Sequence, residues 1–325
     1  MPIISYPNGL PSGVTIRGMS VNMLFPGNVL WLNNAAVPGL SAVGGSDNNA
    51  GDYAHPFNSL AGALASANVV ANRGDIICVM PGHAETISSA TALALNKAGV
   101  LILGLGQGDL RPTFTLDTAN TANIKLSADN MAISNCVFKA NFAAIASLFT
   151  VTTGSTAKNF VLSNCEFRDN SAILNFAKIV TTNVTSNAAD GLCIEDCNFF
   201  GLGATSNTAL VSMLGTNDRV TIRNNYIAHK ATTAAGIMPI ATGKVVTNLR
   251  MVGNICNLVG AAGLTTGLLI TTDGSTNSGI LANNYVQNLD ATSPILVTAS
   301  SGLMFMENYY QSAADKSGAI LPAIS

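Results

Sequence analysis

The feature that most limits what this chain can fold into is a repeat of about 30 residues. An aliphatic residue, a small or polar residue and then Asn, Asp or Gly recur at Ile102-Leu103-Gly104, Ile133-Ser134-Asn135, Leu162-Ser163-Asn164, Ile194-Glu195-Asp196, Ile222-Arg223-Asn224, Val252-Gly253-Asn254 and Leu281-Ala282-Asn283. A looser copy stands at Met306-Glu307-Asn308. Successive bend positions 104, 135, 164, 196, 224, 254, 283 and 308 are separated by steps of 31, 29, 32, 28, 30, 29 and 25 residues. A helical repeat would place apolar residues at i, i+3 and i+4, whereas these segments alternate with period two and are β-branched and rich in Asn. Each step therefore reads as one coil of three short strands. The chain reads as all-β, a single-domain right-handed parallel β-helix, and its 325 residues extend one continuous core.

Asn suits the bend because it tolerates the left-handed backbone region, and its carboxamide can reach the Asn one coil away. A structural ladder is expected through Asn135, Asn164, Asp196, Asn224, Asn254, Asn283 and Asn308. The next residue is Cys136, Cys165 and Cys197 in three successive coils, and Phe138, Phe167 and Phe199 fall three residues past their bends. Both sets predict like stacked on like, with the rings forming an interior stack. The six cysteines, at 78, 136, 165, 193, 197 and 256, have neither paired C-x-x-C spacing nor the density of a disulfide scaffold, so they read as reduced, buried thiols. The segments 152–157, 181–189, 203–208 and 271–278 have loop composition and explain why the step wanders.

Ahead of the coils, apolar residues at 57, 60, 61 and 64 mark one face of a helix over about 57–71 that would cap the open end of the solenoid. The reading divides the chain into an extended N-terminal arm (1–32), a lead-in with the capping helix (33–98), the coils (99–311) and a C-terminal tail (312–325). The arm carries four prolines together with Met19, Val21, Met23, Leu24, Phe25 and Trp31, a partner-contact set.

Composition excludes several classes. Charged residues are 10% of the chain, against about 25% in ordinary soluble domains, while 48% are apolar and the mean hydropathy is +0.37. The longest strongly apolar run, Val100 to Leu105, is far too short to span a bilayer. The net charge is −2, and the Lys and Arg residues are scattered, so counterion release cannot drive nucleic-acid binding. No basic cluster followed by an apolar stretch opens the chain, so no secretory signal is expected.

The lead-in contains Gly45-Ser46-Asp47, Pro56-Phe57, Gly74-Asp75-Ile76-Ile77-Cys78-Val79 and Pro81-Gly82-His83-Ala84-Glu85. With these elements the chain resembles the pectin-lyase-like β-helix superfamily, and in the Pro-Gly-His-Ala-Glu variant it resembles β-helix proteins of tailed-phage virions. The resemblance covers about residues 13–105 well and the coils by pattern. It implies a virion location and either a head decoration (cement) protein or a tailspike. Threefold self-association comes from that resemblance alone.

Superfamily members include lyases, hydrolases and non-catalytic virion proteins, so function has to be argued from residues. A lyase would need acids for calcium and a basic proton acceptor on one outer strand, and a hydrolase a pair of carboxyl groups. In register, Glu195 stacks on Ser163 and Arg223, and Glu166 on Val137 and Asn198, so no carboxylate meets another. Asp218, Arg219, Arg223, His229 and Lys230 form the best remaining cluster and read as a solvated turn or an intersubunit ion pair. His83 and Glu85 lack a third metal ligand and read as a polar turn. Tyr226, Tyr285, Tyr309 and Tyr310 are the one plausible sugar platform. The expectation is a non-enzymatic virion protein with no catalytic, metal or cofactor residues, a homotrimer on the major capsid protein or other virion proteins. A polysaccharide-binding or polysaccharide-cleaving tailspike is the alternative. A free polysaccharide lyase would require export and a calcium site.

Overall fold

Alternation of aliphatic and polar residues on each side of a tight bend gives every coil an inner and an outer row, and stacking the coils buries the inner rows. The computed structural model describes residues 15–16, 19–20, 27–34, 44–202, 209–230, 237–259, 270–271, 276–288, 302–312 and 318–319. They form a right-handed parallel β-helix with one short α-helix. Sheet 1 has ten parallel strands, from Val29–Leu32 to Leu303–Met306. Sheet 2 runs from Ala84–Ile87 to Tyr309–Ser312 and ends in an antiparallel strand, Gly318–Ala319. Sheet 3 has five strands, from Leu93–Leu95 to Ala209–Ser212. Among the described residues no helix is long and apolar enough to cross a membrane.

The inner row of sheet 1 is Ile77, Ile102, Ile133, Leu162, Ile194, Ile222, Met251 and Leu281, each paired with the next and each buried. Sheet 2 supplies the phenylalanine stack. Phe138, Phe167 and Phe199 lie in register as the sequence pattern anticipates, and Phe114 extends the stack by one coil. Ring centroids are 5.6, 6.0 and 6.5 Å apart along the four rings. That spacing lies within the range of favourable aromatic contact.

The corner between sheets 1 and 2 is built from left-handed residues. Asn135, Asn164, Asp196, Asn224 and Asn283 have φ between 51° and 58°. Two positions expected in this set are not in it. Val252 pairs with Arg223 and Met306 with Ala282, so Gly253 and Glu307 occupy the bends, with φ of 69° and 48°. Asn254 and Asn308 therefore sit one residue further on. Glycine enters the left-handed region without a Cβ penalty, so that coil needs no Asn at the turn.

The shift places Asn254 and Asn308 in a buried row with Asn225 and Asn284, continuing the row that begins Cys136, Cys165, Cys197. Here the carboxamides form a ladder. The Asn225 Nδ2 donates to Asn254 Oδ1 (3.0 Å), Asn254 Nδ2 to Asn284 Oδ1 (2.9 Å) and Asn284 Nδ2 to Asn308 Oδ1 (2.9 Å). Each oxygen also accepts the backbone N–H of the preceding Asn, at 3.1 Å. At the bends themselves the side-chain bond is Asn164 Nδ2 to Asn135 Oδ1 (3.2 Å), and later coils are joined there by backbone bonds such as Asn224 N to Val252 O (3.0 Å). A second left-handed column, Asn130, Asn159, Gly191, Arg219 and Asn248, lies five residues before the first and turns the chain into sheet 1.

The capping helix is shorter than the apolar spacing suggests, Leu60–Ala65. Phe57 belongs to the sheet end instead, its N–H donating to Trp31 O (2.9 Å) and its carbonyl accepting from Asn33 N (2.9 Å). At the other end Ser66 takes an extended conformation, and its hydroxyl accepts the Asn68 N–H (3.1 Å), a local bond that competes with helix continuation. The start is fixed by Ser59, whose Oγ accepts the Gly62 N–H, and by Asp47, which accepts from Asn58 N, Ser59 N and Ser59 Oγ at 2.7–2.9 Å. Gly45 is required beside it, because a Cβ there would lie 2.1 Å from Phe57 O and 2.2 Å from Asn33 O. Leu60, Ala63 and Leu64 face the core.

The stretch read as an arm contains a strand. Val29–Leu32 pairs with Ile76–Val79 and forms the first rung, and Trp31 packs edge-on against Tyr53 at 5.0 Å. Met19 lies in Met19–Ser20, which pairs antiparallel with Thr15–Ile16. Val21, Met23, Leu24 and Phe25 lie outside the described residues.

Candidate functional site

The outer rows change character along the solenoid axis. Around the middle coils they carry ion pairs. Glu166, buried at the edge of sheet 2, is bound by Arg111 Nη1 (3.3 Å) and by Arg168 Nε. Arg111 Nη2 also donates to Asn164 O (2.6 Å) and Cys136 O (3.3 Å), tying three coils together. The Glu166 carboxylate holds the Arg168 guanidinium above its ordinary pKa. One coil on, Arg223 Nε donates to Glu195 Oε2 at 2.6 Å. Burial and the neighbouring Glu195 push the Cys193 thiol up to about 11. Glu195 stands opposite Ser163 and Arg223, and Glu166 opposite Val137 and Asn198, the register read from sequence. Each of these carboxylates is held by a guanidinium.

The five-residue cluster around Asp218 is dispersed. Asp218 Oδ1 accepts from Thr247 Oγ1 and Asn248 Nδ2, both at 2.7 Å, and Oδ2 lies 3.4 Å from Arg219 Nε. The two hydrogen bonds lower its pKa and outweigh desolvation, with a lesser contribution from the Arg219 charge. Arg223 belongs to the Glu195 pair four residues later, at the far end of a strand. His229 and Lys230 end the sheet 2 strand Tyr226–Lys230, and their side chains are outside the described set.

His83 is buried, and both ring nitrogens are engaged. Nδ1 accepts the Asn34 N–H (3.1 Å), which leaves Nε2 to donate to Glu85 Oε2 (3.2 Å). The same Glu85 oxygen accepts the Leu60 N–H at the start of the helix (2.9 Å). The pair fastens the cap to the first coils. Two cysteines outside the row of Cys136, Cys165 and Cys197, namely Cys78 and Cys256, are also buried, and burial raises them to about 11 and about 12, far from the thiolate form.

Beyond the ion pairs the outer surface turns apolar. The sheet 2 row that runs through Glu166 and Asn198 continues as Tyr226, Ile255, Tyr285 and Tyr309, each paired with the next and each exposed. Phe200, one row over, meets Tyr226 at 6.0 Å. Across the corner, sheet 1 presents Ile280, Met304 and Met306, with Met304 58% exposed. Beside the tyrosines run Asn257, Gln287 and Gln311, where Gln311 Oε1 accepts from Tyr285 Oη (3.1 Å) and Gln287 Nε2 (3.2 Å). Three of the four tyrosines singled out from sequence thus share one outer row, and the Tyr310 side chain is not among those described. Ile255, Ile280, Met304, Met306 and Phe200 were missed. The signal was available: the residue two past each true bend faces outward, and placing the bend at Gly253 exposes Ile255 as a member of the tyrosine row.

No family model and no curated protein matches the sequence. Among solved structures, a pectin methylesterase from Aspergillus niger is similar over 90% of this chain and 94% of its own, with 12% identity and a TM-score of 0.46. A rhamnogalacturonan lyase is similar over 92% of this chain and 66% of its own, with 16% identity and a TM-score of 0.39. A GH136 lacto-N-biosidase from Eubacterium ramulus covers 88% of this chain and 68% of its own, with 9% identity and a TM-score of 0.35. The fold is a parallel β-helix, as its own strand pairing shows. Likeness at this level extends to no chemistry.

Proposed function

We propose that this chain is a non-enzymatic structural protein of a tailed-phage virion, a capsid decoration or cement protein that acts as a homotrimer of β-helices. The observation that carries the reading is the apolar outer surface of the C-terminal coils. Phe200, Tyr226, Ile255, Ile280, Tyr285, Met304, Met306 and Tyr309 are all exposed. They form a row on sheet 2 and a second group on sheet 1, and exposed apolar patches of this kind mark interaction sites. A surface of that kind is stable in water when neighbours cover it. The resemblance of the lead-in residues to phage β-helix proteins supplies the class of assembly.

Purified protein added to phage heads that lack it is expected to co-sediment with them and to saturate at a fixed stoichiometry. Removal of residues 1–26, which spares the first rung, should preserve the β-sheet circular dichroism and abolish co-sedimentation. Undiminished binding by the truncated protein would contradict the arm's role.

A second reading, a tailspike that binds or depolymerises host surface polysaccharide, is favoured by the tyrosine row beside Asn257, Gln287 and Gln311, since aromatic faces with adjacent amides suit sugar rings. Retention on immobilised host polysaccharide with no affinity for heads would select it.

A further inference from the structure

We propose that Cys136, Cys165 and Cys197 form a binding site for a soft closed-shell cation of the mercuric type, held in line between two sulfurs of adjacent coils. The inference is independent of the virion reading and rests on the interior of the middle coils.

The three thiols repeat with the solenoid. Cys136 lies in register with Cys165 and Cys165 with Cys197, as the strands on either side of the corner require. Each Sγ donates to the carbonyl two residues back, Cys136 to Ser134 O (3.5 Å), Cys165 to Ser163 O (3.3 Å) and Cys197 to Glu195 O (3.2 Å). The shared bond gives all three side chains one orientation, so the sulfurs are spaced as the coils are, about 4.7–4.9 Å apart. All three residues are buried. The row leads straight into the carboxamide ladder, since Cys165 N–H points at Cys197 Sγ (3.4 Å) and Cys197 N–H donates to Asn225 Oδ1 (3.0 Å).

That spacing selects the chemistry. A disulfide needs Cβ atoms about 3.5–4.5 Å apart, closer than neighbouring coils bring them. A metal–thiolate bond is about 2.3 Å long, so an ion on the line between two sulfurs spans about 4.6 Å, close to the coil spacing itself. Soft cations favour thiolate sulfur, and the mercuric ion takes two thiolates in line. Two thiolates and a divalent cation carry no net charge, which suits an apolar interior. On binding, two S–H bonds break, two metal–sulfur bonds form and two protons pass to solvent. The Ser163 and Glu195 carbonyls lose their thiol donors but still accept from Asn135 N and Asn164 N, both at 3.1 Å. Zinc is unsuited, because it takes four ligands in a tetrahedron. Among the described residues no three His, Cys, Asp or Glu side chains gather around one point.

The other cysteines have no thiol one coil away. Cys78 stands between Trp31 and Leu103, Cys193 between Val161 and Thr221, and Cys256 between Ile227 and Val286. Local opening of coils admits the ion, so uptake is slow.

The test uses the reduced full chain with Cys193→Ser, which removes the half-exposed thiol. After hours with one equivalent of mercuric chloride, X-ray absorption should show two sulfurs at about 2.3 Å. Two protons should be released per ion, with unchanged far-UV circular dichroism and a single-chain mass. Zinc chloride should not be retained. Cys165 is common to both pairs, and Cys165→Ala leaves Cys136 and Cys197 about 9–10 Å apart. That variant should lose the two-sulfur signature, whereas Cys136→Ala and Cys197→Ala each leave one pair and should keep it. A two-sulfur site in Cys165→Ala, its loss in both end variants, no uptake by the folded protein, or uptake only as the β-sheet signal disappears would each overturn the inference.

Discussion

Replacing Asn254 by Ala strikes the buried carboxamide ladder at its centre, and the cost can be worked from the bonds it removes. The Asn254 side chain donates to Ile222 O and Asn284 Oδ1, both at 2.9 Å, and accepts from Asn225 N at 3.1 Å and Asn225 Nδ2 at 3.0 Å. Asn284 Oδ1 keeps its bond from the Asn254 backbone N–H, so it is not stranded. Ile222 O likewise keeps its place in the ladder with the Leu249–Val252 strand. Two groups are stranded: the Asn225 amide and one carboxamide hydrogen of Asn225. At about 1–3 kcal/mol for each buried unsatisfied group, and with the vacated space able to admit one water, the expected loss is about 2–4 kcal/mol. Cys165→Ala in the same row strands no strong donor or acceptor and should cost about 1–2 kcal/mol through packing alone. Because coils of a solenoid can open locally, the assay is native-state hydrogen exchange at Ile222, Met251 and Leu281. A loss of about 3 kcal/mol corresponds to roughly 100-fold faster exchange at these amides. Exchange within about tenfold of wild type would refute the claim that the ladder holds the C-terminal coils together.

Two further outcomes follow from the corner and the first rung. Asn164 has φ 51°, so Asn164→Gly should be nearly neutral and Asn164→Val should cost about 1–2 kcal/mol more, read from chemical denaturation. Asp75 is enclosed: burial alone would raise its pKa, but Arg73 and the N–H groups of Val70 and Asn28 outweigh it and hold the carboxyl below the usual range. A folded-state pKa below the unfolded one gives stability that is present above the ordinary Asp range, about 3.9, and lost as pH falls through the depressed value. Trp31, in the rung paired with the Asp75 segment, should report that loss by fluorescence on acidification, and Asp75→Asn should remove the acid dependence.

The solenoid was readable from sequence because stacking writes itself as repetition: an inner aliphatic residue, a bend residue that tolerates positive φ, and a ring three residues on. Register was harder to read where the residue just before an Asn took the bend. At Gly253-Asn254 and Glu307-Asn308 the Asn was given the bend, although the left-handed position needs only tolerance of positive φ and the interior needs a carboxamide to bond its neighbours. The helix was overestimated because apolar spacing at 57, 60, 61 and 64 carries no information about Phe57 pairing with Trp31 and Asn33. The apolar edge was partly legible, through its tyrosines. Ile255, Met304 and Met306 are outward-facing only by virtue of the corrected register, and Met or Ile at such a position looks like core until the pairing is known.

The most direct test of the structural role is the number of copies of this chain per phage particle, measured by quantitative mass spectrometry against the major capsid protein. A decoration protein that repeats over the head lattice should be present on the order of hundreds of copies. A count on the order of tens, or its absence from purified particles, would contradict that role.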